Sequence, residues 1–302
     1  MGKVLVICGA TATGKTALAV NCARLLSGEI ISADSQLVYR GLNIGTAKPT
    51  EEEMGGIVHH MIDIVDPRES FSVSDYRERA LPILEDILSR GKTPIICGGT
   101  GFYINSLLFD FSYGNAAADE SIRKKYQELA KREGAGAVYN ILKEVDPLAA
   151  EKLHENDLKR VIRALEIFET TGKRKSEQDD RPVPKVYYKA FAVDYPREEL
   201  YARIDSRVDE MFECGLVEEV QQLLNSGIDE KYQSMQAIGY KEVVSGLYSS
   251  DLRSTMSDII KQNTHHYAKR QITFFKKLPN ITWLKPQDAT AEKIVEILNV
   301  DL

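Results

Sequence analysis

The sequence predicts an α/β protein: a P-loop core built on a doubly wound parallel sheet, interrupted by a helical insertion domain. Three observations carry that reading. Gly9-Ala10-Thr11-Ala12-Thr13-Gly14-Lys15-Thr16 fits G-x-x-x-x-G-K-[ST] and stands between a continuous apolar run, Lys3 to Cys8, and a stretch with apolar residues at helical spacing, Ala17 to Leu26. Further short apolar runs alternate with helical patterns, as parallel strands joined by crossover helices do. Between about residues 119 and 178 the alternation stops and only helical patterns remain.

Glu29 to Ser32 reads as the second strand, ending in Ala33-Asp34-Ser35, and Ile57 to Val65 as a third, stopped by Asp66-Pro67. Ser72 or Ser74 caps a helix running to about Arg90 with Gly91 beyond it, and Pro82 implies a kink or a later start. Thr93 to Cys97 makes another buried strand, closing on Gly98-Gly99-Thr100-Gly101. Tyr113 to Ala118 reads as a linker into the insertion, bounded at residues 113–184. Lys185 to Asp194 returns to strand character, Pro196 opens a helical region reaching Lys277, and residues 280–285 give a last strand before a terminal helix. The core is then residues 1–112 with 185–302. In such sheets ligands bind beyond the carboxyl ends of the strands, where the P-loop, Asp34 and Thr100 all fall.

Composition narrows the class. The 302 residues, 43% hydrophobic and 28% charged, suit about two globular domains. No apolar run approaches the roughly 18 to 20 residues of a membrane span, and no signal peptide is expected. Cys8, Cys22, Cys97 and Cys214 are scattered, without a C-x-x-C pair or a histidine at metal spacing, so they read as core residues of a reduced, cytoplasmic protein. The five histidines, His59, His60, His154, His265 and His266, suggest no ligand set. A net charge of −6 is unlike a general phosphate-backbone binder. Two local stretches oppose that sum: Lys261 to Lys285 has six Lys/Arg and no carboxylate, and Lys159 to Lys175 has six against Glu166 and Glu169. Taken alone, solvated helix faces account for both.

The P-loop turns backbone N–H groups inward at a helix N-terminus, with Lys15 reaching terminal phosphates and the Thr16 hydroxyl able to ligate Mg2+. A nucleoside triphosphate is the usual guest, but any diphosphate presents the same oxygens. Asp34, just after the second strand, can face a group held over that loop or simply cap a turn. The turn Gly98 to Tyr103 offers close backbone approach to a ligand and the Thr100 hydroxyl. Arg203 and Arg207, one helical turn apart, share a face that suits developing pyrophosphate charge or plain solvation.

Together these residues resemble the tRNA dimethylallyltransferases, also called tRNA isopentenyltransferases, over nearly the whole chain. The segments are GATATGKT at 9–16, SADSQLVYRGLNIGTAKP at 32–49, HHMIDIVDP at 59–67, GGTGFY at 98–103, NDLKRVIRALEI at 156–167, QAIGYKE at 236–242 and YAKRQITFFK at 267–276. The resemblance implies transfer of a dimethylallyl group from dimethylallyl diphosphate to the exocyclic amine of the adenosine 3′-adjacent to a tRNA anticodon, with the P-loop holding the prenyl diphosphate. Carried over by motif, Asp34 is the general base, while Lys15, Thr16 and Arg203 stabilise pyrophosphate with Mg2+ beside Thr16. Thr100, Arg123, the segment Asp34, Ser35, Gln36 and Leu37, the basic residues Lys159, Arg160 and Arg163, and the segment Gln236, Ala237, Ile238, Gly239, Tyr240 and Lys241 match tRNA contacts. Both basic stretches then become RNA-binding, and the insertion becomes the lobe for the anticodon stem-loop. Where the family often has Pro, Ser and Arg-Gln, this chain has Ala10, Thr13 and His265-His266. A monomer of bacterial type, without the zinc-finger tail of eukaryotic relatives, is expected. Three rival readings stay open: an isopentenyltransferase acting on free adenine nucleotides, a P-loop small-molecule kinase, and a non-catalytic RNA-binding switch.

Overall fold

The computed structural model describes residues 3–110, 119–177 and 183–300. It divides into two compact units, Met1–Phe109 with Pro184–Leu302, and Asp110–Val183. The linker read at Tyr113 to Ala118 lies outside the described residues.

The first unit opens with β1 (Lys3–Cys8) and α1 (Lys15–Leu26), then β2 (Gly28–Ser32), a short α2 (Glu51–Met54), β3 (His59–His60), α3 (Val73–Ser89), β4 (Thr93–Gly98), α4 (Gly101–Leu108) and a two-residue β5 (Phe109–Asp110). The second contains α5 (Glu120–Glu133), α6 (Ala135–Val145), α7 (Pro147–Ala150) and α8 (Leu158–Thr171). The chain returns through β6 (Val183–Pro184) to β7 (Tyr187–Val193), α9 (Arg197–Glu213), α10 (Leu216–Asn225), α11 (Tyr240–Ser249), α12 (Arg253–Phe275), β8 (Ile281–Leu284) and α13 (Ala291–Val300).

Six strands form one sheet in the order β3-β2-β4-β1-β7-β8, and its five neighbouring pairs are parallel. Its central strands carry unbroken apolar runs because helices cover both faces. Leu5, Ile7, Ile95 and Phe191 pack with Ala19 and Cys22 of α1 and Ile294 of α13. On α3, the buried Tyr76 hydroxyl donates to the Ser32 carbonyl at 2.9 Å, and its ring stacks on Tyr103 of α4 with centroids 3.9 Å apart. Parallel strands put all their carboxyl ends on one edge, so the P-loop, Ala33-Asp34 and Gly99-Thr100 converge there.

Three expectations change. The run from Ile57 to Val65 is a strand only at His59–His60, because Met61 and Asp63 take φ of 65° and 55°, which removes them from extended conformation. Ser72 caps α3 with Asp75 in a reciprocal pair, so the helix does start early and Pro82 lies inside it. Cys8, Cys22 and Cys97 are core residues, whereas Cys214 is exposed at the end of α9.

The second unit closes a core of its own from Tyr126 of α5, Val138 and Leu142 of α6, and Val161, Ala164 and Leu165 of α8. The spacing on α8 places these residues on one face, and Asp157 caps its first turn through the Arg160 N–H.

Candidate active site

β1 delivers the chain into the P-loop, where Gly14 holds a left-handed φ of 78° and α1 begins at once. Ala12 adopts φ 62° without being glycine, local strain of the kind stored at binding sites. The Ala10 carbonyl accepts from Thr13 Oγ1 at 2.9 Å and from the Lys15 ammonium. Burial lowers the Lys15 pKa to about 8. Beneath the loop, burial pushes the Cys97 thiol up to about 11, so it stays protonated and inert. Two arginines of α9 reach the loop from outside the sheet. Arg203 Nε donates to the Ala12 carbonyl at 2.8 Å, and Arg207 Nη1 donates to Thr11 Oγ1 at 3.2 Å.

Two adjoining chambers meet at this point. The first, about 260 Å³, is lined by Thr11 to Ala17, Asp34, Leu37 and the apolar Ile62, with Arg207 and Tyr267. The second, about 340 Å³, is lined by Ser35, Gln36, Gln236, Ala237, Ile238, Gly239, Lys241 and Arg270. Thr11, Ala12, Asp34, Thr46, Arg207 and Tyr267 line both. Asp34 therefore stands where a group in one chamber meets a group in the other.

Asp34 does both things the sequence allowed. Its Oδ1 accepts from the Gln36 N–H at 2.8 Å and the Leu37 N–H at 3.4 Å, which closes a turn and fixes the carboxylate on the shared wall. Thr100 lines neither chamber directly; its Oγ1 accepts the Ser35 N–H at 3.0 Å, and its side chain is hydrogen-bonded with the Tyr267 hydroxyl. The glycines around Thr100 serve both purposes: Gly98 and Gly99 line the first chamber, and Gly99 and Gly101 also make room for internal packing. A Cβ on Gly99 would lie 2.1 Å from Gln271 Nε2, and one on Gly101 would lie 2.1 Å from the Phe274 ring. Buried Gln271 uses both ends of its amide: Oε1 accepts from the Thr11 N–H at 2.9 Å and Nε2 donates to the Gly99 carbonyl at 3.0 Å. It thus braces the P-loop against the turn after β4.

The wall of the second chamber is set by Glu219 of α10. Its carboxylate accepts from the backbone N–H groups of Asn43, Ile44 and Gly45 at 3.0, 2.9 and 3.3 Å, and from the Tyr240 hydroxyl at 2.6 Å. Tyr240 is fully buried, so the segment from Gln236 to Lys241 presents its other residues to the chamber and keeps Tyr240 as an anchor.

A family model described as IPP transferase matches residues 37–278, and one described as isopentenyl transferase matches residues 2–69. The chain belongs to the IPP transferase family. A tRNA dimethylallyltransferase of Acetivibrio thermocellus is 46% identical, covering 99% of this chain and 96% of its own, and one of Bacillus cereus is 47% identical, covering 98% and 93%. Among solved structures, a tRNA isopentenylpyrophosphate transferase of Bacillus halodurans superposes with TM-score 0.74 at 42% identity, covering 99% of this chain and 95% of its own. A eukaryotic dimethylallyltransferase acting on tRNA superposes with TM-score 0.85 at 30% identity, covering 99% and 79%.

In this IPP transferase, the two arginines of α9 differ in placement. Arg207 lines both chambers, and burial holds its pKa below the usual guanidinium value, whereas Arg203 is exposed at the rim, its guanidinium over the Tyr195 ring at 4.8 Å. From the sequence Arg207 was legible only as sharing with Arg203 a face suited to pyrophosphate or to solvent, and Tyr267, Arg270 and Gln271 were not singled out as site residues. Helical spacing on α12 puts Tyr267, Arg270 and Gln271 on one face. The second unit presents its basic residues in two ways. Lys159 and Arg160 are exposed, with Arg160 paired to Asp157 at 3.2 Å. Arg123 and Arg163 are drawn onto Glu166, which is 0% exposed, at 2.8 and 2.6 Å. These guanidinium contacts, with the Asp119 N–H, hold the Glu166 carboxyl below the usual range against the opposing effect of burial.

Proposed function

We propose that this IPP transferase moves the dimethylallyl group of dimethylallyl diphosphate onto the exocyclic amine of the adenosine 3′-adjacent to the anticodon of a tRNA. The observation that carries the reading is the pair of chambers joined at Asp34, Arg207 and Tyr267. One is a phosphate cradle with apolar wall residues, suited to a short prenyl diphosphate. The other combines apolar side chains, Ile204, Val208, Met211 and Ile260, with polar Ser35 and Gln36 and basic Lys241 and Arg270, suited to an extruded nucleobase and its phosphates.

The amine nitrogen forms a bond to the allylic carbon as the carbon–oxygen bond to pyrophosphate breaks, and the amine proton passes to Asp34. A neutral adenine amine is a poor nucleophile and the leaving group is highly charged, so positioning and charge stabilisation supply most of the rate. Lys15, Arg207 and the α1 N-terminus meet the departing pyrophosphate, and Arg203 supports the loop from its rim. The Thr16 hydroxyl, exposed at the start of α1 beside the phosphate cradle, would hold an Mg2+ ion there. Bound there, the ion neutralises pyrophosphate charge. The helical unit and the basic face of α12 serve the anticodon stem-loop. No helix among the described residues is long and apolar enough to cross a membrane.

The test is direct. Purified protein, dimethylallyl diphosphate, Mg2+ and unmodified tRNA are combined and the nucleosides analysed by mass. Prenylated adenosine forming without ATP supports the reading. A strict ATP requirement, phosphoryl transfer without tRNA, or equal reaction of free adenine nucleotides overturns it in favour of a rival.

A further inference from the structure

Phe102 is a large aromatic side chain left 60% exposed two residues beyond Thr100, on the first turn of α4. Hydrophobic burial does not account for that, because its neighbours Tyr103, Ile104 and Leu107 do turn into the core. Its ring nonetheless has an aromatic neighbour. It meets Phe274 edge to face, with centroids 5.3 Å apart and planes at 65°, and Phe274 meets the fully buried Phe275 at 5.6 Å and 77°. Phe274 can come this close only because Gly101 has no side chain where the Phe274 ring lies.

The surroundings state what such a ring would meet. Tyr267, Arg270 and Phe274 follow one another at helical spacing on α12, so the aromatic pair lies one turn beyond Arg270, which lines the second chamber with its guanidinium 5.7 Å from the Tyr267 ring. Lys269, Arg270, Lys276 and Lys277 are all exposed, and none has an ion-pair partner among the described residues. An exposed ring backed by a second aromatic, near cations without an ion-pair partner among the described residues, is the arrangement that binds unpaired bases by stacking while the cations hold phosphates.

We infer that Phe102, backed by Phe274, is a stacking platform for a nucleobase adjacent to the target adenosine, and that Arg270 and the lysines after it hold the phosphates of that strand. The inference rests on the tRNA prenylation reading. Stacking there compensates for what the target base loses when it leaves the loop stack, so the platform contributes to RNA affinity and not to donor binding.

The experiment measures prenyl transfer and RNA affinity for the full chain with wild type, Phe102→Ala, Phe102→Tyr and Phe102→Trp. The RNA is an anticodon stem-loop, intact or with an abasic nucleotide on either side of the target. Phe102→Ala should raise KM and Kd for intact RNA about 5- to 150-fold, the range set by one base–aromatic stack. The Tyr and Trp variants should stay within about twofold of wild type, and donor affinity should not move. On one of the two abasic RNAs the Ala penalty should vanish. Phe102→Ala at wild-type KM, or an equal penalty on all three RNAs, overturns the platform while leaving the activity in place. Absence of prenyl transfer by the wild type overturns the underlying reading and the platform with it.

Discussion

Arg207 Nη1 donates to Thr11 Oγ1 at 3.2 Å, and through this contact α9 closes the P-loop chamber with a guanidinium that also lines the neighbouring chamber. A cation on the wall common to both chambers acts most strongly on the further charge that develops on the diphosphate as the allylic C–O bond breaks. Arg207→Ala should therefore lower kcat by about 10²- to 10³-fold, the usual loss for one preorganised charge-stabilising donor. Arg207→Lys should recover little, since an ammonium lacks the guanidinium fork. Arg203→Ala, at the rim, should cost less. Single-turnover rates for the three variants check the order, and equal losses for Arg203 and Arg207 would count against the division described here.

Donor binding should depend on pH through Lys15. Burial brings its pKa to about 8, and a bound diphosphate favours the charged form, raising it again. Affinity should be flat below that value and weaken by about tenfold per pH unit above it, until the raised pKa of the complex is reached. The unliganded fold responds in the opposite sense: the unfolded chain holds this proton up to its ordinary 10.5, so Lys15 adds stability as pH rises from about 8 toward that value. Calorimetric titration of dimethylallyl diphosphate across this range reads the first effect, and Lys15→Ala should abolish both the slope and tight binding.

Glu219 gathers three consecutive backbone N–H groups and the Tyr240 hydroxyl. Glu219→Ala strands those donors and should destabilise the protein by about 1–3 kcal/mol, with Tyr240→Phe costing about 1 kcal/mol. Denaturant midpoints measure both, and the reverse order would show that the loop from Asn43 to Gly45 is held by something else.

The basic residues of the helical unit should separate under mutation. Lys159→Ala with Arg160→Ala should weaken tRNA binding and reduce its log–log salt slope by about 0.7 to 0.9 per lost phosphate contact, leaving stability within about 0.5 kcal/mol. Arg123→Ala and Arg163→Ala should lower stability instead, because each leaves buried Glu166 short of a partner. The stability that Glu166 contributes is present at neutral pH and is lost as pH falls below its ordinary 4.5 toward its lowered value. Filter binding over a salt series and thermal melts together distinguish the two classes.

Much of the fold was legible because its signals are local. A P-loop between an apolar strand and an amphipathic helix, and apolar runs such as those of β1 and β4, declare a sheet covered on both faces. The strand expected at Ile57 to Val65 was not, since the left-handed turns at Met61 and Asp63 leave no mark in hydropathy. At the site, Asp34 and Lys15 were readable from their places after strands and in the P-loop. The brace made by Gln271, the clasp made by Glu219 and the anchoring of Tyr240 join residues 172, 176 and 21 positions apart, a kind of pairing that no periodicity encodes. Gly99 lines the first chamber as the turn after β4 suggested, but Gly99 and Gly101 also make room for Gln271 and Phe274, which no local signal showed.

The central claim is that the two chambers bring a prenyl diphosphate and a tRNA adenosine together at Asp34. The measurement that tests it most directly is single-turnover prenyl transfer to unmodified tRNA by wild type and Asp34→Asn, with donor affinity measured in parallel. The account predicts prenylated adenosine from the wild type and a rate about 10²- to 10⁴-fold lower in Asp34→Asn, the usual worth of a general base, with donor affinity little changed. Wild-type rate in a folded Asp34→Asn would leave Asp34 as a turn residue alone and contradict the account.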